Sequence, residues 1–334
     1  MQSGRPPDRA DADWRVARRR RRRQELRRRR RLAALGGLAA VIVLVAAIVT
    51  IAGGSKRSAG GARPTNRHVG RKVDASHYRG GSRKGSESAL PAGVAPAARD
   101  VAAPVLMYHV INPAPAGAPF PGLYVPAPEF EAQMRALASA GFHAVTLQQL
   151  WRHWQQSVAL PVKPVVITFD NGYQSQYSNA LPILRKLGWK AVENMQLTGL
   201  PPSQGGLSDA QIRGLIAAGW ELDTQGISHA DLITVTPSQL HYQVAVARQA
   251  IQHRYHVPVN WFCYPSGHYD AAVVQAVKQA GYLGSTTVVP GWAGPGSDAY
   301  RLPRLRVLGG TSGHGLVELI EATEHDPPPP SSYS

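Results

Sequence analysis

Residues 101–325 predict an α/β domain built on parallel strands, and three observations carry that reading. Short apolar runs alternate with segments of helical periodicity along the whole region. Glycines stand where helical segments should stop, at Gly141, Gly188, Gly219 and Gly281. The apolar run Val165-Val166-Ile167-Thr168-Phe169 ends abruptly in Asp170, Asn171 and Gly172. Delivering a carboxylate at the C-terminal end of an apolar strand is how parallel α/β barrels present chemical groups.

Taken in order, residues 105–109 form a short apolar strand ending in polar aromatic residues. Phe130, Met134 and Leu137 lie on one helical face, and that helix ends at Gly141. A strand over 142–147 and a short helix over 147–154 follow. After the 165–169 strand comes a helix through Leu181-Pro182-Ile183-Leu184, closing at Gly188, then a strand over 190–197. Ser208 caps a helix over 209–218, followed by a strand over 220–224. Thr236-Pro237 starts the next helix, with Thr as N-cap and Pro at the first helical position. Strands over 259–264, 282–288 and 302–308 and helices over 269–280 and 315–324 complete the domain. About seven such repeats imply a parallel barrel or a doubly wound sheet. A single distorted barrel over 101–325 is the expected form.

The formal charge of +16 is concentrated before this domain. It is +10 over residues 1–31, +7 over 32–100 and −1 over 101–334. Residues 32–52 are an uncharged run of 21, long enough to cross a bilayer core of about 30 Å as a helix. The arginine runs directly before it orient the N-terminus to the cytoplasm and send the rest outward. A cleaved signal peptide is the rival, but its apolar core would be shorter and would need a small-x-small cleavage site. The expected order is an Arg-rich cytoplasmic tail (1–31), a transmembrane anchor (32–52), a flexible linker (53–100), the barrel (101–325) and a disordered Pro-rich tail (326–334). The linker is rich in Gly, Ser, Ala and Arg, with an r.m.s. reach of roughly 35–40 Å. The position of the arginine run against the apolar segment accounts for it, so no nucleic-acid partner is expected. Cys263 is the only cysteine, so no internal disulfide is expected, and a small buried thiol is its simplest role.

Several segments, in order along the chain, resemble the polysaccharide deacetylase (NodB-homology) family. Thr168-Phe169-Asp170-Asn171-Gly172 is similar to its first motif, Thr-Phe-Asp-Asp-Gly. Gly219-Trp220-Glu221-Leu222 through Gln225 to Ser228-His229-Ala230-Asp231-Leu232 is similar to the segment carrying its His-x-x-x-His motif. Phe262-Cys263-Tyr264-Pro265-Ser266-Gly267 resembles its Tyr-Pro-x-Gly groove segment, and Leu302-Pro303-Arg304-Leu305-Arg306 resembles a late strand. Pro104-Val105-Leu106-Met107-Tyr108-His109 is closest to the opening strand of the poly-N-acetylglucosamine deacetylase branch.

The resemblance implies a distorted (β/α)7 barrel, an N-acetylated glycan as ligand and a zinc-like divalent metal as cofactor. It makes Asp170 the general base, with Arg304 supporting it. It puts Asn171, Gln225 and His229 at the metal positions, where the family has Asp, His and His. Asn171, Tyr173, Tyr264, Pro265 and Gly267 are the implied groove. Two of the three metal positions thus hold neutral amides. An amide oxygen suits hard cations better than zinc, which puts the metal in doubt. Glu193 and Asp223 are candidate substitute carboxylates facing the altered pocket. The family's final Leu-x-x-His motif has His314 as its nearest candidate. Trp261, Trp292 and Tyr264 could stack on sugar rings or fill the core. Three functions follow: a membrane-anchored hydrolase of non-peptide C–N amide bonds in cell-surface glycans, a non-catalytic glycan-binding relative, or a hydrolase pairing Asp170 with Glu193.

Overall fold

The computed structural model describes residues 100–200 and 205–334. The expected tail over 1–31, the anchor over 32–52 and nearly all of the linker lie outside the described residues. Among the described residues, no helix is long and apolar enough to cross a membrane.

The α/β class is as expected, and its geometry is a parallel half-barrel. The strands are β1 (Ala103–Tyr108), β2 (His143–Val145), β3 (Pro164–Asn171), β4 (Val192–Met195), β5 (Glu221–Thr224), β6 (Trp261–Cys263), β7 (Gly284–Thr286), β8 (Trp292–Ala293) and β9 (Leu305–Arg306). They run in the order β7-β6-β5-β4-β3-β1-β8, with β2 paired to β3 and β9 to β1. Every pairing is parallel except β1 with β8. The late strand is shorter than 302–308 because its chain serves two neighbours. Leu302 and Arg304 hydrogen-bond the β7 side through Ser285, Thr287 and Val289, and Leu305 and Arg306 then pair with β1. This segment bridges the two flanks of the sheet.

The helices are α1 (Ala127–Ser139), α2 (Leu147–Gln156), α3 (Leu181–Lys186), α4 (Asp209–Ala217), α5 (Pro237–His241), α6 (Ala247–Tyr255), α7 (Ala271–Gln279) and α8 (Gly313–Ala322). Thr146, Ser208 and Thr236 form capping boxes with Gln149, Gln211 and Gln239, which fixes where α2, α4 and α5 begin. The helix expected from Tyr269 starts two residues later, because the Asp270 side chain caps the Val273 amide.

Side chains alternate across each strand, so the faces are set by register. Leu106, Tyr108, Ile167 and Phe169 pack outward against Phe130, Met134, Leu184, Leu215 and Leu316. Val105, Val166, Val192 and Trp261 point the other way. They pack with Leu147, Leu150 and Trp154 of α2, which seals the N-terminal end of the strands. The C-terminal ends are left for polar groups. In the tail over 326–334, Tyr333 pairs with Tyr269 through two 2.9 Å backbone hydrogen bonds, and the Tyr269 hydroxyl donates to Pro330 O at 2.7 Å.

Candidate active site

Asp170 is the last inward-facing residue of β3 and is 1% exposed. Its carboxylate takes four donors. Arg304 Nη1 donates to Oδ1 at 2.8 Å and Nη2 to Oδ2 at 2.9 Å. Asn194 Nδ2 donates to Oδ1 at 2.9 Å, and the Cys263 thiol faces Oδ2 at 3.5 Å. Register explains the convergence: Asp170 and Asn194 are partners across β3 and β4, and Cys263 ends β6. Arg304 is itself fully buried, with Thr287 O and Thr168 Oγ1 taking further N–H groups at 2.8 and 3.0 Å. Burial alone would raise the Asp170 carboxyl, but the Arg304 charge and hydrogen bonds, aided by His109 and Asn194, hold it down at about 2. Asp170 is therefore an anion at any ordinary pH. Burial pushes the Cys263 thiol up, so it stays an S–H.

Two imidazoles stand near this carboxylate. His109 directly follows β1 and places Nε2 4.0 Å from Asp170 Oδ2. Burial lowers it to about 4; the positive charges of Arg306 and Arg304 add to this, and Asp170 opposes them. Burial likewise lowers His229, against the pull of Asp170. Both rings are neutral near pH 7.

Beyond Asp170 lies a row of carboxamides at three successive strand ends. Asn171 ends β3 with φ 80° and donates from Nδ2 to Gln196 Oε1 at 2.7 Å. Gln196 Nε2 donates to Thr198 O at 2.7 Å. Gln225 follows β5, and its backbone N–H donates to Met195 O at 2.9 Å, which sets it beside Gln196. Gln225 Oε1 is buried without a hydrogen-bond partner among the described residues. Among those residues no three His, Cys, Asp or Glu side chains gather closely enough to hold a metal ion. A cleft of about 910 Å³ is lined by Gly172, Gln196, Leu207, Ile212, Ile251 and Tyr255, so of this row Gln196 faces it and Asn171 and Gln225 do not. Asp170 and His229 are not among its walls.

Other expected site residues fall elsewhere. Glu193 is register partner to Phe169, so it lies on the outer face of β4, away from Asn194 and Asp170. Asp223 shares the inner face but spends Oδ1 on the Asn260 and Trp261 amides, at 2.9 and 2.8 Å. Neither hydrogen-bonds to Asp170 or His229 among the described residues. The Tyr264 side chain cannot line a groove: it is fully buried, stacked on Tyr269, and its hydroxyl donates to Tyr300 O at 2.9 Å. Trp261 is fully buried against Trp151, and Trp292 donates Nε1 to Ile320 O at 2.9 Å, so both serve packing. Pro265 and Gly267 form a buried turn directly after β6, and Tyr173 lies half-buried after β3 in a bridge with Gly206. His314 is 83% exposed on α8 and pairs with Glu318 at 3.2 Å, far from any site role. Sequence reasoning missed His109, Asn194 and Gln196. The signal for His109 was available, since it closes the apolar run of β1 as Asp170 closes that of β3.

Comparison with known proteins fits this arrangement. Residues 157–284 match the model of the family described as Polysaccharide deacetylase. YxkH of Bacillus subtilis (strain 168), assigned to the polysaccharide deacetylases, is 31% identical over 219 residues, covering 66% of this chain and 76% of that protein. The chain belongs to the polysaccharide deacetylase family. The poly-β-1,6-N-acetyl-D-glucosamine N-deacetylase of Escherichia coli (strain K12) is 40% identical, over 60 residues that make up 18% of this chain and 9% of that protein. Among solved structures, a polysaccharide deacetylase from Bacillus anthracis, BA0330, superposes with a TM-score of 0.59 at 26% identity, covering 66% of this chain and 69% of its own. The Streptococcus pyogenes deacetylase PplD gives 0.61 at 24% identity, covering 66% and 99%, and shares the deacetylase fold. IcaB from Ammonifex degensii gives 0.57 at 21%, covering 66% and 97%.

Proposed function

We propose that this chain acts on N-acetylated glycans of the cell surface or wall, hydrolysing the non-peptide C–N amide bond of an acetamido group. The observation that carries the reading is the buried Asp170–Arg304 pair at the C-terminal end of β3, within the first family motif. In this reading Asp170 accepts the proton of an attacking water, whose oxygen bonds to the acetyl carbon. The C–N bond breaks, acetate leaves, and the sugar amine takes up a proton. Arg304 and Asn194 keep the carboxylate oriented. A carboxylate held near 2 is a weak base, so slow turnover is expected.

The family uses a divalent metal, and the residues here do not fit one of zinc type. Asn171, Gln225 and His229 offer two neutral amides and one imidazole, and Asn171 is already tied to Gln196. The nearest anion, Asp170, is neutralised by Arg304. That observation favours a second reading, in which the domain binds N-acetylated glycans without hydrolysing them. In both readings the apolar run over 32–52 tethers the domain outside the cell membrane, with the N-terminus cytoplasmic, as the preceding arginines support.

Acetate release from an N-acetylated chitooligosaccharide by the full-length chain tests the proposal. Turnover by the wild type, abolished by Asp170→Asn at a temperature where circular dichroism shows the variant still folded, supports hydrolysis. Sugar binding without acetate, in EDTA and with added zinc alike, selects the second reading. Absence of both binding and turnover on any N-acetylated glycan would sink the two together.

A further inference from the structure

We propose that the N-terminal end of the barrel, through the loop over 157–163, docks on an anionic lipid surface, so that the end carrying Asp170 faces away from the membrane. This rests on the reading of residues 32–52 as an anchor and says how the domain lies against that membrane.

The loop Ser157-Val158-Ala159-Leu160-Pro161-Val162-Lys163 joins α2 to β3. Val162 is 75% exposed and Val158 36%, two of the three exposed large apolar side chains among the described residues. The backbone beneath them is pinned. His153 Nδ1 meets Val158 O at 2.8 Å, and His143 Nδ1 meets Val162 O at 3.0 Å. The His143 amide donates to Lys163 O at 3.0 Å, and Lys163 Nζ donates to Ala140 O at 3.1 Å. Held this way, the valines keep apolar surface in water, and an apolar phase recovers that cost.

Register shows what lies beside them. Val105 of β1 is level with Val166 of β3 in a parallel pair, so the chain entering at Val101 is level with Val162. Trp154 of α2 ties that entry down by donating Nε1 to Val101 O at 2.8 Å. The segment that carries the 32–52 run therefore joins the domain at the loop's own end. Charge fits the same partner. Arg152, Lys163, Arg185 and Lys190 are exposed in α2, just before β3, in the last turn of α3 and just before β4. The acids near them are Asp100 on the entering chain, Glu131, which Lys186 and Arg135 each pair at 3.2 Å, and Glu221, which takes the Gln148 amide at 2.9 Å. An apolar tip within a basic rim is the complement of anionic headgroups over acyl chains.

The test uses the full-length chain with Val162→Cys, labelled with an environment-sensitive fluorophore. It is reconstituted in vesicles of phosphatidylcholine and phosphatidylglycerol in equal parts. Cys263 is fully buried, so the label goes to position 162. Tyr242→Cys, at the third exposed apolar side chain, is the control. Nitroxide-bearing lipid is expected to quench the probe at 162 roughly twofold or more over that at 242. Lys163→Gln is expected to lower the docked-to-free ratio about fivefold, the worth of one cation at an anionic surface. If the chain floats with the vesicles and both probes are quenched alike, the docking falls and the anchor survives. If the probe at 162 instead brightens with protein concentration in the absence of lipid, a second copy covers the loop, and the docking falls again. If the chain does not float with the vesicles, the anchor falls and the docking with it.

Discussion

Arg304 grips Asp170 through two parallel hydrogen bonds, of 2.8 and 2.9 Å, joining residues 134 apart in sequence. Both side chains are buried, so each charge is tolerable only because of the other. The pair locks the β9 segment to the C-terminal end of β3, and Cys263 and Asn194 complete the donor set around it.

Breaking the pair should therefore be costly for folding as well as for chemistry. Asp170→Asn and Arg304→Met are each expected to lose about 3–5 kcal/mol of stability by urea denaturation. The double variant should recover a substantial part of the summed loss, since no lone charge remains. Strictly additive losses would show that the two residues are not coupled.

Acid stability should follow the same carboxylate. Asp170 sits near 2 in the folded chain, below its ordinary value of 3.8. A depressed carboxyl contributes stability that is present above pH 4 and lost as pH falls toward 2. The wild type should lose melting temperature steeply across that window. A variant lacking both Asp170 and Arg304 charges should show a shallower slope there.

Glu193 should act in the opposite sense. It is fully buried on the outer face of β4, with the Gly172 backbone N–H beside its carboxyl. Burial, then repulsion from Asp170, holds its carboxyl well above the usual range, so it is folded in as the neutral acid. Its contribution is complete below pH 4.5 and is lost as pH rises through the folded value. Glu193→Gln, neutral at every pH, should melt higher than wild type at alkaline pH by roughly 3–8 °C and match it more closely at pH 5. Equal shifts at both pH values would contradict a titrating Glu193.

Gly267 should tolerate no side chain. Its φ is 74°, and an added Cβ would lie 2.3 Å from Val288 Cγ2. Gly267→Ala is expected to cost about 2–4 kcal/mol from the left-handed backbone and the clash together. Gly296→Ala, where an added Cβ meets nothing within 4 Å, is the control and should be near neutral. The two stabilities are compared by thermal melting.

Restoring the family ligands should create a metal site. Asn171→Asp with Gln225→His supplies a carboxylate and a second imidazole beside His229. The double variant should retain zinc through dialysis, measured as metal content per chain, while the wild type retains little. Equal metal content in the two would mean that these residues do not share one pocket.

Much of the fold was legible in the chain. Capping residues Thr146, Ser208 and Thr236 and the stop glycines are local signals, and local hydrogen bonds honoured them. The extent of the late strand and the seat of Tyr333 are not local signals, because their partners are remote. Leu302–Arg306 divides its hydrogen bonds between β7 and β1, and Tyr333 finds Tyr269. The site divides similarly. Asp170, Arg304, Asn171 and Gln225 were visible as a strand end and as motif positions. Tyr264 and Trp261 were ambiguous, since an aromatic ring suits either a sugar or a core.

The sequence by itself determined the alternation of elements, the place of Asp170 at a strand end, and the neutral amides at Asn171 and Gln225. These depend on residue type and spacing along one segment. Only the tertiary structure decided which groups face Asp170. Register across β3, β4 and β6 brought Asn194 and Cys263 to it and turned Glu193 away. A shift of one residue along any of those strands would reverse the faces, and spacing within a single segment does not fix that pairing.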